Sequence, residues 1–235
     1  MSPLFDVIAF DADDTLWHSE NMYAAAQEDY RRLLARYAEA EQVDRVLHET
    51  EMRNLPAYGY GVKGFALSMI EAALEVSERR ISGVEVQQVL DLAKRMLSTE
   101  VDLLAGVSEV VAEVAATYPL MLITKGDLAH QEAKIEGSGL KPFFRSIEIV
   151  TDKTPQSYAA LLERHHIAPS RFLMIGNSLR SDILPVLAIG GQAVHVPYAI
   201  TWAHEHVDVP PEQQGRYHEL EHIGQLPSLL KQLEC

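Results

Sequence analysis

The feature that most constrains this chain is a series of short apolar runs spaced along it. They are Val7-Ile8-Ala9-Phe10, Leu120-Met121-Leu122-Ile123, Ile147-Glu148-Ile149-Val150, Phe172-Leu173-Met174-Ile175 and Ala193-Val194-His195-Val196. Their lengths and β-branched content suit buried parallel strands. The first four close on polar or small residues: Asp11, Thr124, Thr151, and Gly176 with Asn177. Helical periodicity lies between them, with Val107, Val110, Val111 and Val114 before the second run and Tyr158, Leu161, Leu162 and His165 before the fourth. Strands alternating with helices predict an α/β fold, a doubly wound parallel sheet. Ligands of such sheets bind beyond the carboxyl ends of the strands, where these polar residues would gather.

The stretch from 17 to 102 reads differently. Tyr30, Leu33, Leu34 and Tyr37 share one helical face, Val86, Val89, Leu90 and Ala93 another, and Leu67, Met69, Ile70, Ala73 and Leu74 mark a third helix. Strand-like runs are missing from it. The spacing predicts a mostly helical block over 17–102, inserted between the first strand and the rest of a Rossmann-like core made of 1–16 and 103–235. The glycine-rich bend Gly59-Tyr60-Gly61-Val62-Lys63-Gly64 lacks the spacing of a P-loop, and no strand precedes it.

At 235 residues the chain is long enough to bury such a core without staples. Its 20 Lys and Arg against 34 Asp and Glu leave a net charge of −14, and the basic residues are scattered. That argues against nucleic acid as a partner. An anionic small substrate remains compatible, because a metal ion and one lysine can reverse the local field. The lone cysteine, Cys235, excludes an intrachain disulfide, and at the chain end it is a poor nucleophile. Neither a basic leader before an apolar segment nor a membrane-length apolar run is visible, so a cytoplasmic protein with no membrane partner is expected, as monomer or homodimer.

The chemistry is concentrated in Asp11-Ala12-Asp13-Asp14-Thr15. Three carboxylates within four positions at a buried strand tip repel one another and lose water, costs that a hard cation such as Mg²⁺ relieves. A solvated acidic turn or a helix cap is the simpler alternative for this segment taken alone.

The order of parts resembles the haloacid dehalogenase-like superfamily, in its branch with a helical cap after the first strand. Asp11-Ala12-Asp13 resembles the family's Asp-x-Asp signature, which implies Asp11 as nucleophile and Asp13 as general acid and base. Asp14 stands where the family often has Gly or Asn. Thr124, in Ile123-Thr124-Lys125-Gly126, matches the hydroxyl that binds the transferring phosphoryl group. Lys153, in Asp152-Lys153-Thr154-Pro155, matches the lysine that neutralises nucleophile and phosphoryl charge, with Lys125 as a rival for that phosphate-binding role. Gly176-Asn177-Ser178-Leu179-Arg180-Ser181-Asp182 resembles a Gly-Asp-x-x-x-x-Asp motif whose acids hold Mg²⁺, with Asn177 in place of the first acid. The implied metal set is Asp11, the Asp13 main-chain carbonyl, Asn177 and Asp182.

The resemblance therefore implies a Mg²⁺-dependent phosphatase that hydrolyses a small phosphorylated metabolite through an aspartyl-phosphate. Haloacid dehalogenase and phosphomutase chemistry are the alternatives within the superfamily, and a non-catalytic binding module is a further one. Asp13 and Thr15 argue against the dehalogenase. Trp17 and His18 follow the first motif and either line the pocket or staple a hinge. Lys63 reads as an exposed lysine or a contact for an anionic leaving group. A structural zinc site is not expected: His165 and His166 are adjacent, and His204 and His206, near Trp202, have no third ligand close in sequence.

Overall fold

The computed structural model describes residues 4–200 and 215–234. The stretch holding Trp202, His204 and His206 lies outside the described residues, as does Cys235.

A six-stranded sheet runs in the order β3-β2-β1-β4-β5-β6. Its strands are β1 (Val7–Phe10), β2 (Leu120–Lys125), β3 (Phe144–Val150), β4 (Phe172–Gly176), β5 (Gln192–His195) and β6 (Tyr217–Glu219). β1 pairs in parallel with β2 and with β4, β4 with β5, and β5 with β6. The order reverses beside β1, so the crevice of this doubly wound sheet lies beyond the carboxyl ends of β1 and β4. Asp11 and Asn177 follow those two strand ends directly.

The continuous apolar runs follow from burial on both faces. Ile8, Phe10, Leu120, Leu122, Leu173 and Ile175 face one core with α5 (Val107–Ala115) and α9 (Leu226–Leu233). Ala9, Met121, Ile123 and Met174 face a second core with α7 (Pro155–Arg164) and with Val186 of α8 (Leu184–Ala188). Successive strand residues alternate between the two faces, as the pleat requires.

The chain divides into two compact units. One holds residues 1–20, 101–124 and 132–235; the other holds 21–100 with 125–131. The first boundary falls at residue 20, four residues beyond the expected end of the core. Trp17 makes isolated bridges to Asp13 and Leu103, and His18 N–H donates to the Asp102 carbonyl, which ties residues 17–20 to the sheet unit.

The second unit carries α1 (Glu20–Leu34), α2 (Ala40–Tyr58), α3 (Val62–Val76) and α4 (Gly83–Leu97), and no strand among its described residues. It has its own apolar core, built on Tyr30, Leu34, Val43, Leu47, Val62, Met69, Ala73 and Val89. Ser82 and Glu85 form a capping box that opens α4. The third helical segment is α3, and the residues that mark it lie on more than one of its faces. In α3 the buried residues include Phe65, Ala66, Met69, Ala72, Ala73 and Val76, whereas Leu67 and Leu74 are exposed. That helix is apolar nearly all round, so periodicity did not single out its inner face.

Asp14 adopts φ 59°, the left-handed region that Gly, Asn and Asp tolerate best. Its buried carboxylate accepts from Ser19 N–H at 2.8 Å and Glu20 N–H at 3.1 Å, where the chain enters α1. Burial pushes this carboxyl up to about 7 against the lowering effect of those donors. A folded pKa above the ordinary 3.8 means that the folded chain binds more protons than the unfolded one between those values. Its contribution to stability therefore falls as pH rises through that window. Asp14→Asn keeps an acceptor and the left-handed backbone but cannot ionise. Its thermal stability should fall less than that of the wild type between pH 4 and 7. Parallel pH curves for the two proteins would show that Asp14 does not carry the effect.

Candidate active site

The loop after β1 begins with Asp11, whose N–H donates to the Ile175 carbonyl of β4 at 2.9 Å. This places the Asp11 carboxylate at the reversal point of the sheet. One of its oxygens, Oδ1, accepts from Lys153 Nζ. The other, Oδ2, accepts from Thr15 Oγ1 at 3.1 Å. Lys153 precedes α7, whose capping box of Thr154 and Ser157 fixes the chain where the lysine enters the site. Its Nζ also donates to Asp182 Oδ1 at 2.6 Å. All three charged groups are buried.

Burial pulls the Lys153 ammonium toward neutrality, but the Asp11 and Asp182 carboxylates overcome this and hold it charged, well above the usual lysine range. Asp11 is pushed up to about 7, by burial first and the Asp182 charge second, against the lowering effect of Lys153. Two carboxylates share one cation here. A further positive charge beside Asp11 would complete the neutralisation.

Asp182 is brought in by an uncommon backbone feature, a π-helical turn over Leu179–Ile183. Such turns concentrate at functional sites. Ser178 caps it by accepting from Ser181 N–H at 2.9 Å, and Ser178 N–H donates to Asp182 Oδ2 at 3.1 Å. Gly176 is required by the same contact, because a Cβ there would overlap the Asp182 side chain. Asp182 thus has Lys153 on one oxygen and a backbone N–H on the other.

Asn177 lies across from Thr15, with its N–H donating to Thr15 Oγ1 at 3.1 Å. The terminal amide atom on that side is 3.2 Å from each of Thr15 Oγ1, Asp11 Oδ2 and the Asp13 main-chain oxygen. Facing them with Oδ1, Asn177 completes a cluster of oxygens that calls for a cation. Facing them with Nδ2, it supplies the missing hydrogens itself. The donor set is one carboxylate, one main-chain carbonyl and one amide. It fits Mg²⁺, a hard ion that keeps several of its waters. Among the described residues no group of three or more His, Cys, Asp or Glu side chains is placed to hold a metal ion.

The Asp13 side chain turns to other partners. Its Oδ1 accepts from Trp17 Nε1 at 2.6 Å and from Lys134 Nζ at 2.5 Å. Thr124 is buried at the end of β2, two residues past the Phe10–Leu122 pairing. Lys125, the rival lysine, has its Nζ 4.0 Å from the centre of the Tyr60 ring, and Asp11 contacts Lys153 instead. His18 pairs with the Tyr198 hydroxyl at 2.5 Å. Lys63 meets Asp127 at 3.5 Å.

Sequence reasoning placed Asp11, Asp13, Asn177, Asp182 and Lys153, and the structure brings their strand ends together. It missed Lys134 and the bridging role of Thr15. Thr15 carried a legible signal, since it lies four residues from Asp11 in the same loop. Lys134 carried none.

A buried carboxylate paired with a buried lysine thus stands at the switch point of a parallel sheet. A family model of haloacid dehalogenase-like hydrolases matches residues 5–190, and this chain belongs to that family. A haloacid dehalogenase-like family hydrolase from Xanthomonas campestris is 42% identical, with a TM-score of 0.88 over 99% of this chain and 96% of that one. A HAD-hydrolase of Bacillus subtilis, YfnB, solved bound to magnesium, is 17% identical, with a TM-score of 0.67 over 96% and 98%. A 2-haloacid dehalogenase from Pseudomonas syringae is 22% identical, with a TM-score of 0.63 over 97% and 99%. The last two likenesses concern the fold alone. A search of curated proteins gave no match. Among the described residues no helix is long and apolar enough to cross a membrane.

Proposed function

We propose that the chain is a Mg²⁺-dependent phosphatase acting on a small phosphorylated metabolite through an aspartyl-phosphate on Asp11. One observation carries this reading: the same strand-end loop presents a nucleophile-type carboxylate bound to Lys153 and, two residues on, a second carboxylate with its own donors. A displacement at carbon needs only the first. Transfer of a phosphoryl group to water uses both, the second moving protons to the leaving group and from the water.

In this reading Asp11 attacks phosphorus in line. Lys153 offsets the charge gathered between the Asp11 carboxylate and the phosphoryl oxygens, and Asp182 holds the lysine in place. Thr124 supplies a hydroxyl to the phosphoryl group from the end of β2. Asp13 gives its proton to the leaving oxygen, then takes one from the hydrolytic water. Asp11, the Asp13 carbonyl and Asn177 would hold Mg²⁺, with Asp182 at the edge of that set. When bound, the ion supplies charge neutralisation and orientation of the phosphoryl group.

Phosphate release from p-nitrophenyl phosphate with Mg²⁺, and its loss in EDTA, is the direct check. Equal release in both conditions would remove the metal from the account. The neutral Asn177 offers a sharper test. Asn177→Asp adds a charge to an undercharged site and should tighten Mg²⁺ binding by about tenfold, on the order of one charge-assisted contact. Calorimetric titration that finds unchanged or weaker binding would show that this side chain does not ligate or that geometry outweighs its charge.

A further inference from the structure

We infer that Lys134 is a positioning residue for the reaction proposed above, acting through the Asp13 carboxylate; the inference rests on that reading of Asp13. Lys134 lies on α6 (Leu128–Gly137), 121 residues along the chain from Asp13. Its side chain is 11% exposed, far from the solvated state usual for lysine. Its Nζ sits 2.5 Å from Asp13 Oδ1. The indole N–H of Trp17, a residue 1% exposed, reaches the same oxygen at 2.6 Å.

A carboxylate on a strand-end loop has a broad terminal torsion and needs partners to fix its plane. Two donors on one oxygen, the first charged and both largely buried, define that plane. Trp17 reaches Asp13 from its own loop, and Lys134 reaches it from a helix beyond β2. Together they hold the Asp13 carboxylate in one orientation, two residues from Asp11. An isolated surface ion pair does not repay the ordering of a lysine side chain. A largely buried lysine committed to a carboxylate on the nucleophile's loop is the feature that marks this pair as functional.

The steps that Lys134 supports balance without any change in its own protonation. In the first, the Asp11 carboxylate forms its bond to phosphorus, the ester P–O bond breaks, and the Asp13 proton goes to the departing oxygen. In the second, water oxygen bonds to phosphorus, its proton passes to Asp13, the bond between Asp11 and phosphorus breaks, and inorganic phosphate leaves. A misaligned Asp13 slows whichever of these depends on it most. With p-nitrophenyl phosphate that is the second, because p-nitrophenolate departs without a proton.

Lys134→Met should therefore lower kcat for p-nitrophenyl phosphate about 10–100-fold, a share of what general acid–base catalysis is worth. KM should stay within about twofold, and phospho-enzyme should build up in a rapid-quench experiment. Lys134→Arg should restore most of the rate. Trp17→Phe keeps an aromatic side chain but removes the N–H together with part of the buried ring system, so it gives a second version of the same defect, with its stability measured alongside. The decisive arm is the Asp13→Asn background, where Lys134→Met and Trp17→Phe should each cost less than about twofold. Wild-type turnover by Lys134→Met, or a penalty that persists in full beside Asp13→Asn, would overturn the inference while leaving the proposed function standing. Wild-type turnover by Asp13→Asn itself would overturn the proposed role of Asp13 and the inference with it.

Discussion

Lys153→Met is expected to cost the sheet unit about 3–5 kcal/mol, the usual penalty for breaking a buried ion pair by removing one partner. Two buried carboxylates, Asp11 and Asp182, share this ammonium, so its loss leaves them facing each other with no cation between. The same change removes the positive charge next to the nucleophile, and turnover should fall to background. Two compact units make a single transition an unsafe assumption, so the loss should be read from a probe within the sheet unit, such as hydrogen exchange of β1 and β4 amides. Added Mg²⁺ should recover part of the stability, because a cation beside Asp11 relieves the same repulsion. A Lys153→Met protein as stable as the wild type in EDTA would show that Asp11, pushed up to about 7, is protonated at rest.

The second large effect separates the two acids of the loop. Asp13→Asn keeps the nucleophile and the shape of the side chain but cannot move a proton. General acid–base catalysis is worth about 10²–10⁴-fold, and turnover should fall by that amount. An activated ester can still phosphorylate Asp11, since its leaving group needs no proton. Phenyl phosphate, with a more basic leaving group, should lose more of its rate than p-nitrophenyl phosphate. Equal losses for the two esters would show that Asp13 does not protonate the leaving group.

The parts most legible in the sequence are the strands buried on both sides; of the half-buried edge strand β3 only Ile147–Val150 was read. β1, β2 and β4 are continuous apolar runs because each faces two cores, and their closing residues mark the site. β6 was not legible. It has three residues at the sheet edge, Tyr217-His218-Glu219, none fully buried, so no apolar run announces it. α2 was missed for a related reason. It is long but mostly polar, carries Pro56 near its end, and has no side-chain cap at Glu39.

Within the site, residues next to strand ends were found and the residue on a helix flank was not. Lys134 differs from any solvated lysine only through tertiary contact. The need for Gly176 likewise arises from Asp182 six positions later, brought close by a π-helical turn that no propensity specifies. Asn177 was read as a departure from the family pattern. Its geometry adds that one amide can face the three oxygens with either end.

The central claim is a covalent bond between phosphorus and Asp11, and rapid quench tests it most directly. Wild type, Asp13→Asn and Asp11→Asn would each be mixed with p-nitrophenyl phosphate and Mg²⁺, quenched in acid within milliseconds, and assayed for protein-bound acyl phosphate. The account predicts a small transient signal in the wild type, a larger and longer-lived one in Asp13→Asn, and none in Asp11→Asn. Phosphate release by Asp11→Asn at a rate near that of the wild type, with no acyl phosphate in any of the three, would contradict it.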